Sequence, residues 1–250
     1  IYQAFLENQV IFFRDQHMTP EQFLAFARRW GGIHLHPYMK GLDEIPEILE
    51  LIKTETDTYA FGSSWHSDQM FAPKPAKCTM LLGREIPPAG GDTMFANMYL
   101  AYESLSPGMR ATLDRLKALN SGDKKRGGGT KNRAERYSGA QGMKLKDPGN
   151  IQTDSVHPLV RTHADTGRKG LYLGSHTQHL DGFTPEESEP ILSFLREHCR
   201  RPEFTCRFRW APGSLAIWDN RCVQHYAIND YAGYRRRMHR ITIKGEDAPF

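Results

Sequence analysis

Several things are missing from this chain of 250 residues, and each absence narrows what it can be. No stretch approaches the roughly 20 consecutive apolar residues that a membrane-crossing helix needs, so no membrane span is expected. Cysteine is scarce, with only Cys78, Cys199, Cys206 and Cys222 and no Cys-x-x-Cys spacing. We read all four as reduced, small, buried apolar side chains of a cytoplasmic protein. A strong excess of one charge is also missing. The 33 Lys and Arg against 29 Asp and Glu leave +4, which is no nucleic-acid signature. Lys124-Lys125-Arg126-Gly127-Gly128-Gly129-Thr130-Lys131 has the composition of a phosphate loop but not its residue order, and no apolar strand leads into it. There is no internal repeat and no low-complexity tract. The chain opens on Ile1 instead of Met, and we expect the native start to lie upstream.

What is present fits one domain, spanning residues 1–250, with a sizeable core. Val10-Ile11-Phe12-Phe13 reads as a short apolar strand. Thr19-Pro20-Glu21-Gln22 carries a capping box with Pro at the first helical position. It predicts a helix with Phe23, Phe26, Ala27 and Trp30 on its apolar face, ended by Gly31-Gly32. Residues 48–52, 78–85, 204–210 and 238–243 read as strands, and 159–162 with 170–173 as a hairpin. Residues 99–119 are expected to be helical, with a break near Pro107. Thr184-Pro185-Glu186-Glu187 opens a second capped helix to Cys199, in which Pro190 predicts a kink or a later start at Ser188. Residues 120–150, rich in Gly, Lys and Arg, are expected to form a mobile surface loop and a candidate lid. Many short strands with Gly/Pro turns and a few helices suggest an antiparallel sandwich or jelly roll with helical additions.

Three His-x-Asp triplets stand out: His66/Asp68, His163/Asp165 and His179/Asp181. On an extended strand, residues i and i+2 share a face, so an imidazole and a carboxylate can bind one metal side by side. A second histidine from elsewhere would complete a two-histidine, one-carboxylate face with positions left open, the arrangement of non-haem Fe(II) oxygenases. The second triplet reads as a turn and the third as a loop. His66/Asp68 follows Trp65 and leads into an apolar-leaning strand. Of His34 and His36, one reads as a surface histidine and one as pocket-lining.

The C-terminal run from Trp218 to Phe250 begins Trp-Asp-Asn-Arg, carries His225, and ends in an arginine-rich strand. With Trp65-His66-Ser67-Asp68 and Gly90-Gly91-Asp92-Thr93, it closely resembles the taurine and 2,4-dichlorophenoxyacetate dioxygenase family over nearly the whole chain. The resemblance implies a mainly β fold with helical additions and a double-stranded β-helix (jelly roll, cupin-like) core. It implies dependence on Fe(II), 2-oxoglutarate and O2. It selects His66, Asp68 and His225 as iron ligands and as the catalytic centre. Thr93 matches the residue that hydrogen-bonds a 2-oxoglutarate carboxylate. Arg236 matches the arginine on the distal carboxylate, a role its planar fork suits. Arg240, helped by His36, matches the arginine that holds the acidic group of the primary substrate, and Gln69 is grouped with these substrate contacts.

On a strand, Arg236 and Arg240 share a face with Met238 between them, while Arg235 and Arg237 share the other. Two arginines inside a barrel need anions, which a dianionic cosubstrate and an acidic substrate supply. The chain has Met39 where taurine enzymes carry a substrate-contacting tyrosine, and Gly62 where they carry an asparagine. Both changes remove polar contacts and open space. They favour an alkyl or aryl sulfonate, a sulfate ester or an aryloxyalkanoate over taurine. The expected reaction hydroxylates the carbon beside the acidic or ether group, yields succinate and CO2, and often cleaves the substrate. The alternatives are a taurine dioxygenase proper and a non-catalytic, metal-binding cupin-like module. Thr93 and Arg236 argue against the latter, since a pure metal binder needs neither. A small acidic molecule is the expected partner, with no nucleic acid and no membrane, in a homodimer or homotetramer.

Overall fold

Strand pairing carries most of the architecture in the computed structural model, which describes residues 1–122, 142, 144–146 and 151–250. The larger sheet contains β1 (Val10–Phe13), β2 (Leu49–Lys53), β3 (Cys78–Glu85), β11 (Leu215–Asp219) and β13 (Arg236–Ile243), in the order β1-β11-β3-β13-β2. A three-stranded sheet, β10-β4-β12, is built from β4 (Thr93–Asn97), β10 (Thr205–Phe208) and β12 (Val223–Ala227). All of these pairings are antiparallel.

Side-chain alternation decides which face meets which partner. Cys78, Met80 and Leu82 of β3 pack with Ile217, Ile241 and Ile243 against Phe5 of α1 (Tyr2–Asn8) and Phe23 and Ala27 of α2 (Pro20–Arg28). The opposite face offers Leu81, Ala216, Trp218 and Met238, which meet Phe95, Phe208 and Val223 of the smaller sheet. The space between the sheets is therefore apolar at its centre and receives the arginines of β13 at its edge.

A second body of core lies beyond the smaller sheet. It is walled by β5 (Lys117–Ser121), β6 (Asp154–Pro158) and β9 (Thr177–Leu180), and by the hairpin β7 (Val160–Thr162) and β8 (Lys169–Leu171). Its apolar filling comes from these strands and from α3 (Met98–Glu103), α4 (Pro107–Leu113) and α5 (Pro185–Cys199).

Both capping boxes form, Thr19 with Gln22 and Thr184 with Glu187. Four expectations need correction. The helix expected to run to residue 119 stops at Leu113, and Lys117–Ser121 is a strand between β6 and β9. Lys-Ala-Leu has no strand preference of its own, and pairing on both sides overrides local propensity. Helix α2 ends at Arg28, before Gly31-Gly32, because Trp30 turns back, donating its N–H to Ala27 and stacking edge-on against Phe5. Helix α5 starts at Pro185 with Pro190 inside it, so no later start at Ser188 occurs. Cys206 is exposed, on edge strand β10, while the other three cysteines are buried. The expected lid lies mostly outside the described residues, although Gly122, at its near end, forms part of a cavity wall. Among the described residues no helix is long and apolar enough to cross a membrane.

Candidate active site

His66 and His225 face each other as a single antiparallel bridge, each donating its backbone N–H to the other's carbonyl at 3.1 and 2.8 Å. Cross-strand partners point to the same side, which brings the two imidazole centroids to 4.2 Å. The expected His66–Asp68 strand is thus only one bridge long. Beyond it the chain turns, with Gln69 at φ 60°, and this turn swings the Asp68 carboxylate to the imidazoles. Asp68 Oδ1 lies 3.6 Å from His66 Nε2 and 3.7 Å from His225 Nε2. All three groups are buried.

The surroundings fix each group. The Nδ1–H of His66 donates to the Ser64 carbonyl at 2.6 Å, which leaves Nε2 as the lone-pair nitrogen. Asp68 Oδ2 accepts the Thr79 hydroxyl at 2.6 Å, so Oδ1 is the oxygen that faces the imidazoles. Thr79 is itself held by Asn220 Nδ2 at 2.9 Å. Asn220 Oδ1 accepts the Asp68 backbone N–H and the Trp218 indole N–H. Arg240 Nη2 reaches Asp68 Oδ1 at 2.7 Å. Burial alone would raise the Asp68 pKa; Arg240, the two imidazoles and Thr79 outweigh it and hold the carboxyl below the usual range. Burial, with help from His66 and Arg240, pushes His225 well below the usual histidine value. Two neutral imidazoles and one carboxylate are the donor set that suits a ferrous ion with open positions.

Two cavities meet here, sharing Phe61, Gly62, His66 and Arg240. One, of about 410 Å³, is lined by Leu51, Leu81, Thr93, Trp218, His225 and Arg236. Arg236 is 8% exposed, and its Nε and Nη2 have no hydrogen-bond partner among the described residues. Such a guanidinium calls for an anion. The other cavity, of about 480 Å³, is lined by His36, Tyr38, Tyr59, Phe71 and His176, with Asp68, Gln69 and Arg240 also in its wall. The alternation expected for the arginine strand is present: Arg236 and Arg240 are buried, while Arg235 and Arg237 reach Glu85 and Glu50.

Met39 stands behind the wall instead of in it, buried against Leu49, and its neighbour Tyr38 lines the cavity. Gly62 adopts φ +87° and a Cβ there would lie 3.5 Å from the His66 ring. Both His34 and His36 are half-buried, so neither is a surface histidine. His176, Tyr38, Tyr59 and Phe71 were not singled out from the sequence; no local pattern marks them.

The other triplets lie elsewhere. His163 is buried; its Nε2–H donates to Asp219 Oδ2 at 2.9 Å and its Nδ1 accepts the Asp165 and Thr166 N–H groups. Asp219 also takes two bonds from the Arg221 guanidinium and one from its backbone N–H, and Arg221 Nη1 reaches Asp165 at 2.6 Å. This saturated web braces the turn between β11 and β12 that delivers His225. His179 sits on β9, paired opposite Leu119.

Residues 1–242 match the family described as "Taurine catabolism dioxygenase TauD, TfdA family". This chain belongs to the TauD/TfdA family. An alkylsulfatase of Acinetobacter baylyi is 36% identical over 248 residues, covering 98% of this chain and 76% of that protein. A crystal structure of a taurine dioxygenase from Burkholderia xenovorans superposes with a TM-score of 0.81 at 35% identity, covering 99% of this chain and 79% of the other. The crystal structure of AAD-2 in complex with Mn(II) and N-oxalylglycine gives a TM-score of 0.77 at 30% identity, covering 100% and 87%. The TauD/TfdA relatives thus extend over nearly the whole of this chain.

Proposed function

We propose that this protein is an Fe(II)- and 2-oxoglutarate-dependent dioxygenase that hydroxylates a small organic acid beside its acidic or ether group. One observation carries the reading: two cavities converge on the His66/Asp68/His225 cluster, with buried Arg236 in one and buried Arg240 at their junction. His66 Nε2, Asp68 Oδ1 and His225 Nε2 would hold Fe(II). Arg236 and the Thr93 hydroxyl would hold the distal carboxylate of 2-oxoglutarate, an assignment supported by the unpartnered guanidinium nitrogens. A relative that binds Mn(II) with N-oxalylglycine, whose amide stands in for a methylene of 2-oxoglutarate, supports the same pairing of ligands. When bound, the metal supplies O2 activation coupled to decarboxylation of the cosubstrate, so that substrate, O2 and 2-oxoglutarate become hydroxylated product, succinate and CO2.

The protein's own contribution is orientation and dryness. Arg240, with His36 and Gln69 beside it, would bind the substrate's acidic group; its Nε is buried without a partner among the described residues. Tyr38, Tyr59, Phe61 and Phe71 form an aromatic wall suited to an apolar body and exclude water from the reacting carbon. This favours an alkyl or aryl sulfonate, a sulfate ester or an aryloxyalkanoate. The taurine-specific reading is the second one. Anaerobically assembled enzyme, given O2 with taurine, an alkyl sulfate or a phenoxyalkanoate, tests it through succinate yield. The bulkier acids should stimulate succinate most. Taurine turned over far faster would overturn the substrate class, and no Fe(II)-dependent succinate with any acid would overturn the enzyme.

The two facing antiparallel sheets support a double-stranded β-helix in a single domain across residues 1–250. We further take the protein to be cytoplasmic, as its few reduced cysteines suggest, and a homodimer or homotetramer, as the family resemblance implies; light scattering tests the latter.

A further inference from the structure

We propose that Trp210 is a positioning residue for the cosubstrate's distal carboxylate, setting the direction in which the Thr93 hydroxyl donates and supporting the Arg236 guanidinium. The inference rests on the 2-oxoglutarate assignment above. Phe208 at the end of β10 lies directly opposite Thr93 at the start of β4. Trp210, two residues on and buried, therefore reaches over Thr93. Its indole Nε1–H lies 3.0 Å from Thr93 Oγ1. An indole can only donate, so the threonine oxygen is the acceptor, and its own proton must point elsewhere. Among the described residues nothing accepts that proton.

The same ring serves the arginine. The Arg236 guanidinium carbon is 5.7 Å from the Trp210 ring centroid and 6.0 Å from that of Tyr231. Gly91 closes a third side: a Cβ there would come within 3.3 Å of Arg236 Cδ and Nε. The guanidinium is thus caged by two aromatic faces and a backbone, with Nε and Nη2 still unpartnered. One side chain thereby fixes both cationic and hydroxyl halves of a carboxylate clamp. Pre-organisation of this kind lowers the ordering cost of binding.

Trp210→Phe keeps an aromatic ring while removing the N–H together with the rest of the pyrrole ring. Loss of one hydrogen bond of roughly 1–1.5 kcal/mol corresponds to about 5- to 12-fold. Calorimetric titration of Mn(II)-loaded protein should show 2-oxoglutarate binding weakened by about that factor. Binding of 2-oxopentanoate, which has the same chain length without the distal carboxylate, should be unchanged. In turnover the KM for 2-oxoglutarate should rise with kcat at saturation unchanged. In a Thr93→Val background the same substitution should have a clearly smaller effect, since only the ring contact with Arg236 is left to change. Should Trp210→Phe fail to fold, the indole N–H resonance of Trp210 in the otherwise intact protein carries the test. It must move on Thr93→Val, and must respond to 2-oxoglutarate but not to 2-oxopentanoate. Equal loss for both keto acids, unchanged 2-oxoglutarate affinity, or an unresponsive resonance would overturn the positioning role. Failure of the unaltered protein to bind 2-oxoglutarate at all would instead sink the underlying assignment, and this inference with it.

Discussion

Asp68 has four neighbours competing for two oxygens, and Thr79 decides the outcome. By donating to Oδ2 it leaves Oδ1 for the imidazoles and Arg240. Thr79→Val preserves the shape and removes the donor. We expect apparent Mn(II) or Co(II) affinity to fall by about 10- to 100-fold, the usual range for a lost outer partner of a metal ligand, with Thr79→Ser retaining most of it. Equal affinity in the valine variant would remove Thr79 from the account. Spacing in the sequence made the His66/Asp68 pair and the shared face of Arg236 and Arg240 legible, whereas His225 and Thr93 were marked only by the family resemblance. The sequence could not reveal Thr79, His176 or Tyr38, which matter only through cross-chain contacts. It pointed to Met39 when the adjacent Tyr38 is the one in the wall, a one-residue difference in facing that spacing does not resolve.

At the scale of elements, β13 was the most readable. Its alternation puts Arg236, Met238 and Arg240 on one face, pairing by β2 and β3 makes it an interior strand, and the smaller sheet covers Met238 on that face. Met238 is fully buried between the arginines. Met238→Ala should cost about 2–5 kcal/mol in urea unfolding, as truncations of buried methionine do. A loss below about 1 kcal/mol would mean that the core between the sheets is loosely packed. Both helix starts were legible for a local reason, since a capping box is made by residues three apart. Thr184→Ala should therefore cost about 1 kcal/mol. Strand β5 was not legible, because its state is set by β6 and β9 and not by its own residues.

For the molecule as a whole, the two-sheet architecture determines how stability responds to acid. His34 lies where the chain pairs with the end of β13, and its pKa is lowered to about 4, first by burial and then by Arg240 and Lys244. Between pH about 6.5 and about 4 the unfolded chain binds a proton there that the folded protein does not. Stability therefore falls as pH drops through that window. His34→Gln should flatten this part of the urea-midpoint profile; an unchanged profile would assign the acid sensitivity to other groups. The wider organisation, an antiparallel sandwich with helical additions, was legible from many short strands and Gly/Pro turns, whereas the side on which α1 and α2 pack and the partition of the two cavities around His66 and Arg240 were not.

The central claim is that two imidazoles, one carboxylate and the Arg236 pocket form a single ferrous and 2-oxoglutarate site. Anaerobic titration with Fe(II) and then 2-oxoglutarate tests it most directly. The account predicts a visible metal-to-ligand charge-transfer band that saturates at one equivalent of each, shifts when the acidic substrate is added, and is lost in His225→Ala. No band in the unaltered protein, or an unchanged band in His225→Ala, would contradict it.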